Sequence, residues 1–392
     1  MNKKKINQIN NTSEILEEIA IKSKLKEGKE AVRKILREIY RCGTLGTKTL
    51  ARMIQLPIPT IAAVRKELEN AGLIDRVKKG AILTEYGVRF VTKELEISYL
   101  NDLVCKTCDG TKLELPQEFD DLILKLKSFT ELRPTPNTSL DQAFGKPVTA
   151  LRRAYLMLQN DDVEGRNILL LGDDDFTSIA LALLNVKTNI VVLDIDSRLT
   201  DTISNISEKN KYPVKCFVHD LRKPVNTEFT NKFDTILTDP PYTIPGLRLF
   251  LSRAIQALKR EDGRKIYLAY PHRAPNELLE VQQEILKHGL AIEEIIPGFN
   301  LYEGAEMHGN ITSLLILITT SETKTIISGE YNDLIYTGEL SPTIRTYRCK
   351  NKHLIKIGSS EDIKSIEQLK EVGCPICGSK ISFSRVGTTK NE

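Results

Sequence analysis

Apolar positions recur along the chain in two rhythms. From Lys29 to Leu95 the rhythm is helical: EAVRKILREIYRCG carries apolar side chains three and four apart and stops at Gly43. Thr47 opens a short helix, TKTLARMIQ, which Pro57 closes, and a third helix starts near Pro59 in TIAAVRKELENAGLI. LIDRVKKGAILT then reads as a hairpin turning at Lys79-Gly80, and Thr84 begins a further helix with Glu85 in its first turn. From about Ala150 to Thr320 the rhythm changes. NILLLG, NIVVLDID, FDTILTD and KIYLAY are short continuous apolar runs, the pattern of strands buried on both faces. Helix-like stretches such as FTSIALALLN and GLRLFLSRAIQALKR lie between them.

Repeated β–α units predict a doubly wound, Rossmann-like α/β core over residues 150–325. Residues 1–100 have the helix-helix-helix-hairpin order of a winged helix, and residues 101–149 read as a linker. Residues 326–392 form a small tail. A winged helix suggests DNA binding, yet the third helix offers only Arg65 and Lys66 beside acidic neighbours; dimerisation or docking fits it better, and a homodimer is the expectation.

Charge and cysteines narrow the class. With 56 basic and 52 acidic residues the formal net charge is +4, so no global field draws nucleic acid or membrane. No apolar stretch reaches bilayer length and the start is basic and polar, which predicts a cytoplasmic protein. Four of the seven cysteines stand in two C-x-x-C pairs. In the tail, Cys349 and His353 are followed by Cys374 and Cys377, a spacing that predicts a tetrahedral Cys3His zinc site of structural kind, in a segment too short to bury much core. Cys105 and Cys108 form a half-site only, as readily a turn with two free thiols as a metal site.

The chemistry is expected where strands end, because open α/β sheets bind ligands beyond their carboxyl ends. After the first strand stands Gly172-Asp173-Asp174-Asp175-Phe176-Thr177-Ser178. Nucleotide-binding turns here are usually glycine-rich; three carboxylates instead repel an anion and attract an ammonium group. One aspartate suffices to cap a helix, and three exceed that need. After the second strand, Asp194 and Asp196 suit a ribose; after the third, Asp220 in HDL suits an adenine amino group. After the fourth comes Asp239-Pro240-Pro241-Tyr242, where two prolines hold an acceptor and an aromatic face in fixed directions. Glu303 and Glu306 add to a possible cation-binding rim, in a loop equally readable as solvated.

GDDDFTSIAL, VVLDID, the Asp141-Gln142 pair and TDPPYT together resemble the branched-chain polyamine synthases of archaea and thermophiles, the N(4)-bis(aminopropyl)spermidine synthase family. DPPY alone is shared with class I methyltransferases acting on exocyclic amines; GDDD before a helix is the distinguishing element. The resemblance implies decarboxylated S-adenosylmethionine as donor and spermidine as acceptor, giving N(4)-aminopropylspermidine and then the bis-substituted product with methylthioadenosine. It places Asp175 as base with Asp239 as rival, Asp173 and Asp174 on acceptor ammonium groups, and Tyr242 facing the reacting nitrogen. Asp194 takes the ribose, with Asp141, Gln142, Gly172, Asp196 and Asp220 around the same donor. The rival reading is an S-adenosylmethionine-dependent amine methyltransferase acting on nucleic acid; against it stand the three carboxylates and the absence of a basic, aromatic-rich face. A non-enzymatic regulator is the second rival.

Overall fold

A computed structural model describes residues 3–100, 108, 110–111, 113–115, 117–303, 310–340, 343–358, 361–363 and 366–390. Its residues group into two compact units. One contains residues 1–115, 271–280 and 295–314; the other contains residues 116–270, 281–294 and 315–392.

The first unit opens with helices α1 (Lys3–Lys22), α2 (Lys29–Cys42), α3 (Thr47–Ile54) and α4 (Ile58–Asn70). The antiparallel hairpin β1 (Ile74–Val77) and β2 (Gly80–Leu83) follows, and Thr84 caps α5 (Glu85–Arg89) by accepting from the Gly87 N–H. The helical spacing read from sequence is the buried face: Val32, Ile35, Leu36 and Ile39 of α2 share one core with Ile61, Val64 and Leu68 of α4. Helix α1 was not anticipated from the polar start. It buries Leu16, Ile19 and Ala20 in the same core.

The second unit begins with α6 (Asp120–Thr130) and α7 (Pro147–Gln159), then alternates strand and helix: β3 (Asn167–Leu171), α8 (Thr177–Leu183), β4 (Asn189–Asp194), α9 (Ser197–Asn210), β5 (Val214–Val218), β6 (Thr235–Thr238), α10 (Ile244–Ala257) and β7 (Lys265–Tyr270). Helix α11 (Pro275–Lys287) and strands β8 (Leu290–Leu301) and β9 (Ile311–Thr319) divide between the two units. The seven-stranded sheet has the order β5-β4-β3-β6-β7-β9-β8, and the β3–β7 ladders are parallel. Every residue of β6, and all but the first of β3 and β7, is buried, as expected for central strands covered by helices on both faces.

After β9 the chain forms α12 (Thr337–Leu340) and a three-stranded antiparallel sheet of β10 (Thr343–Arg348), β11 (Leu354–Ile357) and β12 (Ser384–Lys390), with α13 (Ile366–Val372) between β11 and β12. Among the described residues no helix is long and apolar enough to cross a membrane.

Candidate active site

The chain winds outward from β3 through β4 to β5, then returns to lay β6 against the other side of β3. This reversal is a topological switch point, where strand-end loops diverge and leave a crevice. The loops leaving β3 and β6 are the triple-aspartate turn and the Asp-Pro-Pro-Tyr turn. Leu171 and Thr238 pair at the last rung, and the Thr238 hydroxyl donates to the Leu171 carbonyl at 3.0 Å.

The three aspartates have three different fates. The turn is tight, with Gly172 at φ +78° and the buried Phe176 at φ +59°, a region bulky side chains rarely occupy. It brings Asp173 under the start of α8, where its carboxylate accepts from the Thr177 N–H at 2.7 Å, the Ser178 N–H at 3.1 Å and the Ser178 hydroxyl. Asp173 thus satisfies the first N–H groups of α8 from three residues before the N-cap position, which Phe176 occupies, and it is buried. Burial pushes its carboxyl up to about 8, against the pull of those donors. Asp175 turns the other way. It pairs with the Arg153 guanidinium at 2.7 Å, both side chains being almost wholly buried, and it accepts from the Gly145 N–H. A Cβ at Gly145 would stand 2.7 Å from the Asp175 carboxylate, so this approach needs a glycine.

Arg153 also donates to Asp239 at 3.0 Å, and Asp239 accepts from the Tyr242 hydroxyl at 2.9 Å. The Tyr242 ring stands edge-on to Tyr270 at 5.6 Å. Asp174 is left over. Half-buried, its carboxylate has neither hydrogen bond nor ion pair among the described residues. Burial, then the charges of Asp175, Asp239, Asp194 and Asp173, raise it well above the usual carboxylate range. The nearby Arg133 donates to the Asp174 backbone carbonyl, at 3.3 Å, and lies over the Phe144 ring.

The ends of β4 and β5 are organised differently. Asp194 accepts from the Asp173 N–H at 3.0 Å and the Asp196 N–H at 2.8 Å, tying the β3 turn to the β4 turn. Each of its oxygens keeps a further lone pair, enough for a diol. Burial holds Asp194 above its ordinary value. Asp196 caps α9 and pairs with Arg198 at 2.6 Å, and the Gln142 amide donates to it at 3.1 Å; burial pushes it up, but these partners outweigh that and leave it below the usual range. Asp220 is paired with Arg222 at 3.2 Å.

A strap not anticipated from sequence runs over these strand ends. The Tyr331 N–H donates to the Arg222 carbonyl at 2.8 Å, and Arg222 lies over the ring of the buried Tyr336. Thr243, next after Tyr242, donates to the Ile335 carbonyl at 2.6 Å, and Asp141 accepts from the Thr337 N–H at 2.7 Å. The fully buried Arg253 fixes the strap's approach. It donates to the carbonyls of Leu221 and Arg222 on one side and of Ile327 and Gly329 on the other. Burial lowers its guanidinium to about 10.

The structure gives the expected site residues unlike surroundings. Asp175, expected as the base, is ion-paired with Arg153 and enclosed. Asp173, expected on an acceptor ammonium, has its oxygens engaged by α8. Glu303 is exposed and belongs to the other unit; Glu306 and Cys105 lie outside the described residues. The structure does bring Asp174 near Asp239, which bonds Tyr242, and it joins Gln142, Asp194 and Asp196 by hydrogen bonds with Gly172 beside them; Asp141 and Asp220 are tied to Thr337 and Arg222. Arg153 is the main residue missed. It sits on the buried stripe of α7 with Thr149, Ala150, Ala154 and Met157, and a charge on such a stripe was the available signal.

Comparison with known proteins adds to this geometry. Residues 121–369 match the branched-chain polyamine synthase A C-terminal domain. An uncharacterized protein of Methanocaldococcus jannaschii is 39% identical over 391 residues, covering 100% of this chain and 97% of its own. The same organism has an N(4)-bis(aminopropyl)spermidine synthase that is 33% identical over 295 residues, 74% of this chain and 82% of that protein. Among solved structures, the Thermus thermophilus branched-chain polyamine synthase, in complex with N4-aminopropylspermidine and 5'-methylthioadenosine, superposes with a TM-score of 0.66 at 24% identity, covering 85% of this chain and 97% of that one; this likeness shows the fold.

Proposed function

This chain belongs to the branched-chain polyamine synthase family, and from that premise we propose that it transfers aminopropyl groups from decarboxylated S-adenosylmethionine to the secondary amine of spermidine. The products are N(4)-aminopropylspermidine, then N(4)-bis(aminopropyl)spermidine, each round releasing methylthioadenosine. The observation that carries this reading is Asp174, a carboxylate without a partner at the switch point, among other carboxylates and beside Asp239 and Tyr242. The cluster holds one cation, Arg153, shared by Asp175 and Asp239, which leaves Asp174 uncompensated among the described residues, and a polyamine supplies several cations. The M. jannaschii relative named as N(4)-bis(aminopropyl)spermidine synthase supports the same chemistry.

The donor's sulfonium is already an activated electrophile, so the protein has to position the reactants and manage protons. The nucleoside lies along the ends of β4 and β5, with its ribose on Asp194 and its adenine toward Asp220. The aminopropyl chain points to the β3–β6 crevice. The neutral acceptor nitrogen attacks the methylene beside sulfur, the carbon–sulfur bond breaks, and its electron pair stays on sulfur as methylthioadenosine leaves. In the first round the new tertiary ammonium still carries a proton, and Asp174 accepts it. In the second round the tertiary amine attacks and no proton remains to be lost, so Asp174 offsets the quaternary charge. Arg153 pairs with Asp175 and Asp239 and holds both in place, and Asp239 orients the Tyr242 hydroxyl. We read the N-terminal helices and β1–β2 hairpin as a winged-helix-like module and the tail as zinc-ribbon-like.

The test is incubation with decarboxylated S-adenosylmethionine and spermidine, with polyamines and methylthioadenosine read by mass spectrometry. Acceptors carrying one or two extra aminopropyl groups are expected. Methyl transfer from intact S-adenosylmethionine to nucleic acid, with no aminopropyl product, overturns the reading.

A further inference from the structure

The aminopropyl-transfer reading makes no use of the tail after α12, yet that tail carries the tightest cluster of soft ligands among the described residues. The side-chain ligand atoms of Cys349, His353, Cys374 and Cys377 all lie within 4.8 Å of one another. Two turns present them. After β10, the Cys349 N–H donates to the His353 carbonyl at 3.0 Å and the Lys352 N–H returns to Cys349 at 2.9 Å, with Lys352 at φ +67°. In the second turn the Cys374 N–H donates to the Ser379 carbonyl and the Gly378 N–H to the Cys374 carbonyl, both at 2.8 Å. Gly378 is at φ +67°, and Gly373 at φ +87° passes so close that a Cβ would lie 2.8 Å from the Gly378 carbonyl. Both turns therefore fold back tightly and aim their ligands at one point.

The separations fit a particular occupant. Four ligands in a tetrahedron with metal–sulfur bonds of about 2.3 Å place their sulfurs about 3.8 Å apart, with a sulfur and a nitrogen slightly closer. Here Cys349 Sγ lies 3.8 Å from Cys377 Sγ and 3.6 Å from His353 Nδ1, while Cys374 Sγ lies 3.8 Å from the same nitrogen. A disulfide would need about 2.05 Å between sulfurs, and these cysteines are free thiols. Three thiolates and an imidazole suit zinc over the hard cations, and four protein ligands leave no open position for catalysis. The surrounding core is only Cys349, Ile355, Ile357, Ile363, Leu369 and Cys374, with a few half-buried neighbours, so two of its members are themselves ligands. So small a core needs a staple to hold three strands.

We propose that Cys349, His353, Cys374 and Cys377 bind one zinc ion that holds the tail folded. This goes beyond the aminopropyl-transfer reading and does not depend on it. The test uses the full chain. Elemental analysis should find one zinc per chain, and cobalt substitution should give the intense visible bands of a tetrahedral ion with thiolate charge transfer. Cys349→Ser with Cys377→Ser should lose both, and chelation should make residues 343–390 protease-sensitive while the preceding α/β residues stay protected. The proposal fails if the wild-type chain, with its thiols reduced, takes up no stoichiometric zinc or cobalt. It also fails if the double variant keeps the metal, which places the ion elsewhere. Because wild-type metal content and the cobalt spectrum need no variant, a misfolded variant does not shield the idea.

Discussion

The carboxyl end of the parallel sheet holds two sets of aspartates, and their partners differ. At β4 and β5, Asp196 and Asp220 each have an arginine two residues on, Arg198 and Arg222, and Asp194 accepts from two backbone N–H groups, so each of these carboxylates has a partner before any ligand arrives. At β3 and β6, Asp175 and Asp239 share one guanidinium, that of Arg153, while Asp174 beside them has no partner among the described residues. A partnered set suits a nucleoside, which offers hydroxyls and an amine for hydrogen bonding. An unbalanced, half-buried set is unfavourable alone and improves when a cation enters. The contrast divides the crevice into a nucleoside side and a polyamine side, and it singles out Asp174, which stands beside Asp175 in sequence but opposite to it in electrostatics.

The largest effect should come from removing that unpartnered charge. Asp174→Asn is expected to lower kcat/KM by about 10²–10⁴, the usual contribution of a general base. It should also stabilise the free protein, by on the order of 1 kcal/mol at neutral pH. The sign follows from the raised carboxyl. When a folded-state acid titrates above its unfolded value, stability is full below the unfolded value of 3.8 and falls as pH rises through the folded one. Asp174→Asn removes that loss. The wild-type kcat/KM profile should carry an acid limb above the usual carboxylate range, and the variant should lack it. Steady-state kinetics across pH, beside thermal melts, checks both halves. A variant that is inactive and also destabilised would mean that Asp174 is a structural group. Next in size, Asp175→Asn should destabilise the fold by about 3 kcal/mol, since it leaves buried Arg153 with Asp239 alone. Denaturant midpoints measure this. Full stability with abolished activity would return Asp175 to the role of base.

The sequence revealed the anomaly but not how it divides. Continuous apolar runs such as NILLL and KIYLAY are legible because central parallel strands are buried on both faces, and the turn chemistry after each follows from that placement. Three consecutive aspartates were visibly more than one cap requires. Which of them meets the first N–H groups of α8 depends on the left-handed turn at Phe176. Which is neutralised depends on Arg153, contributed by a helix 22 residues before Asp175. Neither is encoded within the motif. The 331–340 strap has no periodicity to betray it, because it is held through its own backbone, the Tyr331 and Thr337 N–H groups and the Ile335 carbonyl, which meet the Arg222 carbonyl and the side chains of Asp141 and Thr243. Helix α1 went unread for a different reason: among its described side chains the apolar stripe on the core side is short, Leu16, Ile19 and Ala20 with half-buried Ile15.

The smallest expected effect tests the nucleoside side. The Gln142 amide is a two-way tie: its oxygen accepts from the Asn137 N–H at 2.7 Å and its nitrogen donates to Asp196 at 3.1 Å. Gln142→Leu removes both bonds and leaves Asp196 to Arg198. A hydrogen bond to a charged group contributes about 1.5–3 kcal/mol, but Arg198 retains most of the pairing, so a loss near 1.4 kcal/mol, about tenfold, is expected. The loss should appear as a raised KM for the donor with kcat nearly unchanged, because Gln142 stands away from the reacting nitrogen and acts equally on ground and transition states. The KM for spermidine should not move. A fall in kcat with unchanged donor KM would place Gln142 on the polyamine side, and the two aspartate sets would then act as one continuous site.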